Sequence, residues 1–233
     1  MHLLAQVPYA AVELHWSAPV LGPAHLRARQ LRGALAAAFG GDDLFHQHDA
    51  AGRALYRYPR VQYRWHRGCG VVVGWQEAAE KLLNLPWLDL ALRLGADEAT
   101  VAEAHLATTG GTFGWDDRLR YYRFGSPVLL FNQENYARYQ TMKPEAQRRE
   151  RDRLLVAQTL VALRELGVRF EGRLYAAFAG FRAQVCRYKE QDLLGLTGWF
   201  VSNAVLPTGF AFGHAVSHGY GWIAPLDEEA DGE

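Results

Sequence analysis

A chain of 233 residues, 49% hydrophobic and 12% aromatic, has ample material for a buried core, which excludes a disordered chain and allows one large domain or two modest ones. Its 25 basic and 25 acidic residues cancel, yet five of the acids lie in the final seven residues, DEEADGE, so residues 1–226 carry +5 and an anionic partner is not excluded. No apolar run reaches bilayer length, the opening MHLLAQVPYAAVELHW lacks the basic start of a signal peptide, and Cys69 and Cys186 match neither a disulfide framework nor a CxxC spacing; we expect a cytoplasmic protein with two ordinary buried thiols.

Residues 2–17 mix apolar and β-forming side chains and predict a strand. Gly22-Pro23 opens a helix in which Leu31, Leu35 and Phe39 recur at helical spacing, and Gly40-Gly41 stops it. The turn that follows holds His46 and His48. In VQYRW, Val61, Tyr63 and Trp65 share one face of a strand while Gln62, Arg64 and His66 share the other, and Pro59 suits the strand's start. GVVVGW reads as the hairpin partner across Gly68, QEAAEKLLNL as a short helix and LDLALRL as a further strand. LATTGGTFGWD, residues 106–116, predicts a linker between two halves.

The pattern then repeats. YYRFGSPVLLF predicts a strand, and residues 145–166 a long helix with Val156, Leu160 and Leu163 on one stripe. RFEGRLYAAFAGFRAQVCRY and LTGWFVSNAVL follow as strands, and a glycine-rich segment with GWIAPL closes the chain. Two consecutive βαββαβ-like units predict an α+β protein of two tandem ferredoxin-like domains, akin to RNA-recognition domains, over residues 1–110 and 111–226, with an acidic tail at 227–233.

Residues 53–67 contain Arg53, Arg57, Arg60, Arg64 and Arg67 and no acid, and Tyr56, Tyr58, Tyr63 and Trp65 interleave with them. A basic run alone is usually a solvated face; guanidinium groups alternating with aromatic rings also suit phosphates and stacked bases.

The segment GFAFGHAVSHGYGWI, residues 209–223, resembles the GhGxxxxxGhG loop (h, hydrophobic) of the repeat-associated mysterious protein superfamily, in particular its CRISPR-associated endoribonucleases. Gly213, five residues, then Gly219, Tyr220 and Gly221 fit, while Ala211 stands where the family has its first glycine. The run from Leu26 to Tyr63 is similar to the N-terminal half of one branch of these enzymes, and RYYRFGSPVLLFNQENYARY to the opening of the C-terminal half. The resemblance implies two ferredoxin-like domains and metal-independent cleavage of CRISPR precursor RNA within the repeat, without a cofactor. It makes CRISPR repeat RNA the expected partner, and leaves open both other CRISPR effector subunits and a homodimer; no membrane partner is implied.

RNA cuts itself when a 2′-hydroxyl attacks the adjacent phosphorus in line with the departing 5′-oxygen, so an enzyme has mainly to orient, deprotonate and protonate. A neutral imidazole and an imidazolium do both near pH 7. His46 and His48 are therefore the candidate base and acid, in an order the sequence does not fix, and Tyr56, with Tyr58 in reserve, the candidate third member. Arg57, Arg60, Arg64, Gly213, His214, His218, Gly219 and Gly221 are the candidate RNA contacts. Two alternatives stand beside this: a non-catalytic CRISPR RNA-binding subunit, and a metallohydrolase with His46, His48 and Asp49 joined by His214 or His218, whose HxHD spacing falls short of longer metal signatures.

Overall fold

The computed structural model describes residues 1–40, 44–45, 58–170, 172–188 and 191–226. They divide into two compact units. The first comprises Val7–Gly110 with Ser217–Gly219; the second comprises Met1–Gln6, Gly111–Val216 and the described residues from Tyr220 onward.

In the first unit, strand β1 (His2–Trp16) alternates: Ala10, Val12 and Leu14 point into the core, while Glu13 and His15 lie on the opposite face. Helix α1 (Ala24–Ala38) starts behind Pro23 and buries Ala28, Leu31 and Leu35 at helical spacing. Strands β2 (Val61–His66) and β3 (Cys69–Trp75) form a hairpin whose two turn residues, Arg67 (φ 51°) and Gly68 (φ 84°), both adopt the left-handed region that a tight hairpin demands. Helix α2 (Glu77–Leu83) lies so close to β3 that a Cβ on Gly74 would stand 2.6 Å from the Ala78 carbonyl oxygen. Strand β4 (Ala91–Leu94) turns at Gly95 into β5 (Asp97–Phe124). The strand order in this unit is β2-β3-β1-β5, and its core joins Leu14, Leu31, Leu35, Phe45, Tyr63, Trp65, Leu82 and Trp87.

The second unit is built on the later part of β5, which pairs with β7 (Gln191–Val205) on one side and the short β8 (Ile223–Pro225) on the other; β7 then pairs with β6 (Ala176–Tyr188). Helices α3 (Gln133–Gln140) and α4 (Pro144–Glu165) separate β5 from β6. Aromatic rings dominate this core: Phe200 contacts Tyr122, Phe124 and Phe212 at centroid distances of 5.3, 5.1 and 5.9 Å. The Tyr122 hydroxyl donates to the Ala204 carbonyl at 2.8 Å and accepts from the Leu206 amide at 3.0 Å, closing the end of β7.

Three expectations need correction. Residues 106–116 are not a linker but part of β5; Gly114 serves close approach, since a Cβ there would lie 2.5 Å from the His2 carbonyl oxygen. The strand expected over YYRFGSPVLLF ends at Phe124, because Gly125 lies under the Trp222 ring and residues 128–131, though fully buried, make only one isolated bridge, at Val128. On α4 the buried stripe is Leu154, Leu155, Thr159, Ala162 and Leu163; of the expected Val156, Leu160 and Leu163 only Leu163 is buried, the other two being half-buried. Helix α3 was not foreseen; its signal is Asn132, whose side chain caps it by accepting from the Asn135 amide at 2.8 Å.

Candidate nucleic-acid interface

The glycine-rich connection between β7 and β8 is held by its own backbone. Phe210 and Phe212 insert into the core of the second unit, and the Phe212 amide donates to the Gly221 carbonyl while the Ile223 amide donates to the Phe210 carbonyl. Ala211 bridges Trp222 in extended conformation and is fully buried, so this position accepts a Cβ without strain. Gly213 (φ 96°) and Gly221 (φ 72°) are different. A Cβ on Gly213 would lie 2.8 Å from the Leu129 carbonyl oxygen, and one on Gly221 would lie 2.0 Å from that of Phe212. The His214 and Gly221 amides donate to Leu129 and Pro127 carbonyls, so these amides hold the loop in shape and are already occupied. Tyr220 is buried with Leu129 and Cys186, its hydroxyl donates to the Arg187 carbonyl at 3.2 Å, and burial pushes its phenol up to about 12.

His214 stands at the edge of a cavity of about 430 Å³ in the second unit, lined also by Phe131, Asn132, Glu134, Tyr188 and Gln191. Burial holds its imidazole below the ordinary histidine range. An imidazole, three amide-bearing side chains (Asn132, Gln133 and Gln191) and a tyrosine around one opening can hydrogen-bond and stack a polar planar group. Only His214 of this set was anticipated; the Asn-Gln run after GSPVLLF was the available signal for Asn132.

In the first unit, Gly219 (φ 88°) sits against β2, where a Cβ would stand 2.9 Å from the Tyr63 carbonyl oxygen and 3.1 Å from Ala28. His218 is half-buried, with Nδ1 3.2 Å from Ser217 Oγ. Strand β2 itself is covered on both faces through Trp65, leaving only His66 exposed. Arg64 is 7% exposed and joins a buried network: it donates to Gln62 Oε1 at 3.3 Å, and Gln62 Nε2 donates to the Tyr58 hydroxyl at 3.0 Å. Burial pushes the guanidinium down, while Tyr9 and Tyr58 oppose that shift. Arg60 lies 3.5 Å from Glu77 and keeps Nη1 buried without a hydrogen-bond partner among the described residues.

His46, His48, Asp49, Tyr56 and Arg57 lie outside the described residues, as does the acidic tail. The described residues on either side, Phe45 and Tyr58, are buried. Phe45 is 2% exposed and packs against Phe39 at 5.2 Å, and Tyr58 is buried in the network with Gln62. Both cysteines are free, Cys186 buried and Cys69 half-buried. Among the described residues no helix is long and apolar enough to cross a membrane.

Comparison with known proteins gives this arrangement its place. Residues 8–110 match the Cas6b N-terminal domain and residues 114–226 the Cas6b C-terminal domain. Among solved structures, one described as Cas6b superposes with a TM-score of 0.81 at 19% identity, covering 95% of this chain and 100% of that one. A CRISPR RNA processing endoribonuclease Cas6b superposes with a TM-score of 0.69 at 18% identity, covering 94% and 100%. The uncharacterized protein MJ0978 of Methanocaldococcus jannaschii is 27% identical over 116 residues, half of this chain and 79% of that protein. With two family segments matched in order over nearly its whole length, the chain belongs to the Cas6b family of CRISPR RNA processing endoribonucleases.

Proposed function

We propose that this endoribonuclease cuts CRISPR precursor RNA within the repeat by making the RNA attack itself, without a metal. One of His46 and His48 removes the 2′-proton; the 2′-oxygen bonds to phosphorus; the bond to the 5′-oxygen breaks, and the other imidazole protonates that oxygen. The products are a 2′,3′-cyclic phosphate and a free 5′-hydroxyl. Tyr56 hydrogen-bonds the reacting phosphate, and the arginines of its segment offset the charge that develops.

The observation that carries this reading is the Cas6b N-terminal match over residues 8–110, the range that contains His46, His48 and Tyr56; Phe45 and Tyr58, the described residues before and after that stretch, are buried. Repeat RNA is proposed to contact Arg57, Arg60, His214 and His218, with Gly213, Gly219 and Gly221 shaping the loop that receives it. A ferredoxin-like plan for both units is supported by strand order. The first runs β2-β3-β1-β5, with α1 after β1 and α2 after β3; the second runs β6-β7-β5-β8, with the glycine loop where a second helix would stand.

The test uses the full chain and its CRISPR repeat RNA. His46→Ala with His48→Ala should lower the cleavage rate by about 10²- to 10⁴-fold while repeat binding stays near wild type. A single 2′-deoxy substitution upstream of the cut should block cleavage, and EDTA should not. Normal cutting of the deoxy substrate, or by the double variant, overturns the mechanism.

A further inference from the structure

On β1, Glu13 and His15 lie two residues apart and share a face. The pairing of Leu14 with Gly70 brings His15 beside Cys69 on β3, and β5, the neighbour of β1 on its other side, brings His105. All four residues belong to the first unit. His15 Nδ1 lies 3.5 Å from Cys69 Sγ, and His15 Nε2 lies 2.9 Å from Glu13 Oε1. The His15 and His105 rings are 4.6 Å apart between centroids, inclined at 47°. One donor atom each from Glu13, His15 and His105 lies within 4.8 Å of the others.

Tetrahedral zinc with bonds near 2.0–2.1 Å keeps its ligand atoms roughly 3.3 Å apart, so modest side-chain rotations bring these three together. The state of His15 points the same way. Its Nε2 is shielded from solvent and, despite its closeness to Glu13, has no hydrogen-bond partner among the described residues. A shared cation would take a lone pair from each of the two imidazoles in ring contact.

We infer that Glu13, His15 and His105 form a binding site for a divalent transition metal, zinc by its donor set, with the Cys69 sulfur accepting the Nδ1 proton of His15 so that the Nε2 lone pair faces the ion. The side chains of Glu13 and His105 are 45% and 63% exposed, which leaves an ion a way in from their side and a position for water. Glu103 Oε2, 3.4 Å from His105 Nε2, adds a second carboxylate at the outer edge. The site uses none of the residues proposed for cleavage. Bound metal clips β1 to β5, and through Cys69 to β3.

Untagged full-length protein, stripped with a chelator, is titrated with Zn²⁺ and Co²⁺ by calorimetry and against a chromophoric competitor. The expected result is one ion per chain, with the intense visible absorption of four-coordinate Co²⁺. His105→Ala, at an exposed position that does not endanger the fold, should weaken zinc binding at least a hundredfold, as should His15→Ala. Cys69→Ala should cost about 10- to 100-fold, the effect of losing a partner that orients a ligand. His46→Ala with His48→Ala should bind zinc like wild type. Zinc should raise the thermal midpoint of wild type and not of His105→Ala. Absence of saturable binding, binding that survives His105→Ala, or binding lost with His46 and His48 overturns the site; the first two leave the cleavage mechanism untouched, whereas the third would favour the metallohydrolase reading, which cleavage in EDTA tests separately.

Discussion

Arg64 separates two things a basic residue can do. As one of five arginines in an acid-free run it promised a phosphate contact, yet its guanidinium is turned into a network with Gln62, Tyr9 and Tyr58. Removing it strands Gln62 and leaves a cavity. Arg64→Ala should therefore cost about 2–4 kcal/mol of stability, seen as a lower denaturation midpoint, while the salt dependence of repeat binding stays as in wild type. A shallower salt slope would return Arg64 to the RNA surface. The glycines divide in the same way. Gly213, Gly219 and Gly221 each have a left-handed φ and a carbonyl within 3 Å of where a Cβ would be, whereas position 211 is extended and carries alanine at no cost.

At the scale of elements, the role of Phe45 reaches beyond packing. It is the last core residue before the histidine segment, set against Phe39 at α1's end, which in turn meets Trp87. Phe45→Ala should destabilise the protein by about 3–5 kcal/mol. On the proposed mechanism it should also slow cleavage by about 10- to 100-fold at a temperature where the variant is folded, with repeat affinity changed far less, because misplacing the proposed histidines would cost rate more than binding. Single-turnover cleavage and equilibrium binding on one preparation check this. The regular elements were legible where side-chain period and punctuation agree: β1, α1, the β2–β3 hairpin, α2, β6 and β7 all stand near their expected places. Legibility failed where glycine meant proximity rather than freedom, at Gly114 in β5, and where tertiary burial replaced a ladder, at 128–131. The candidate site was readable as residue types and as a loop pattern. Which arginine faces inward, and which amides the loop spends on itself, depend on partners far along the chain.

For the whole molecule, His214 and Glu150 are two described groups through which acid weakens the fold. Burial keeps His214 below its ordinary value of 6.5, so the folded chain holds it neutral while the unfolded chain takes up a proton; stability is full above that value and falls as pH drops below it. Glu150 bonds Arg153 and Arg138, which hold its carboxyl below the ordinary 4.5; its contribution is present above that value and is lost as pH falls through the depressed one. Thermal midpoints followed from pH ~7 downward should decline in two stages. His214→Gln should remove the first and Glu150→Gln should shrink the second.

Strand β5 passes without a break from one unit to the other, and the opening residues of β1 belong with the second. Any cut near position 110 would sever a continuous ribbon and strip the later fragment of its six leading amino acids. The halves of this nuclease are thus poor candidates for exchange by recombination, and each is expected to have diverged only in the company of the other.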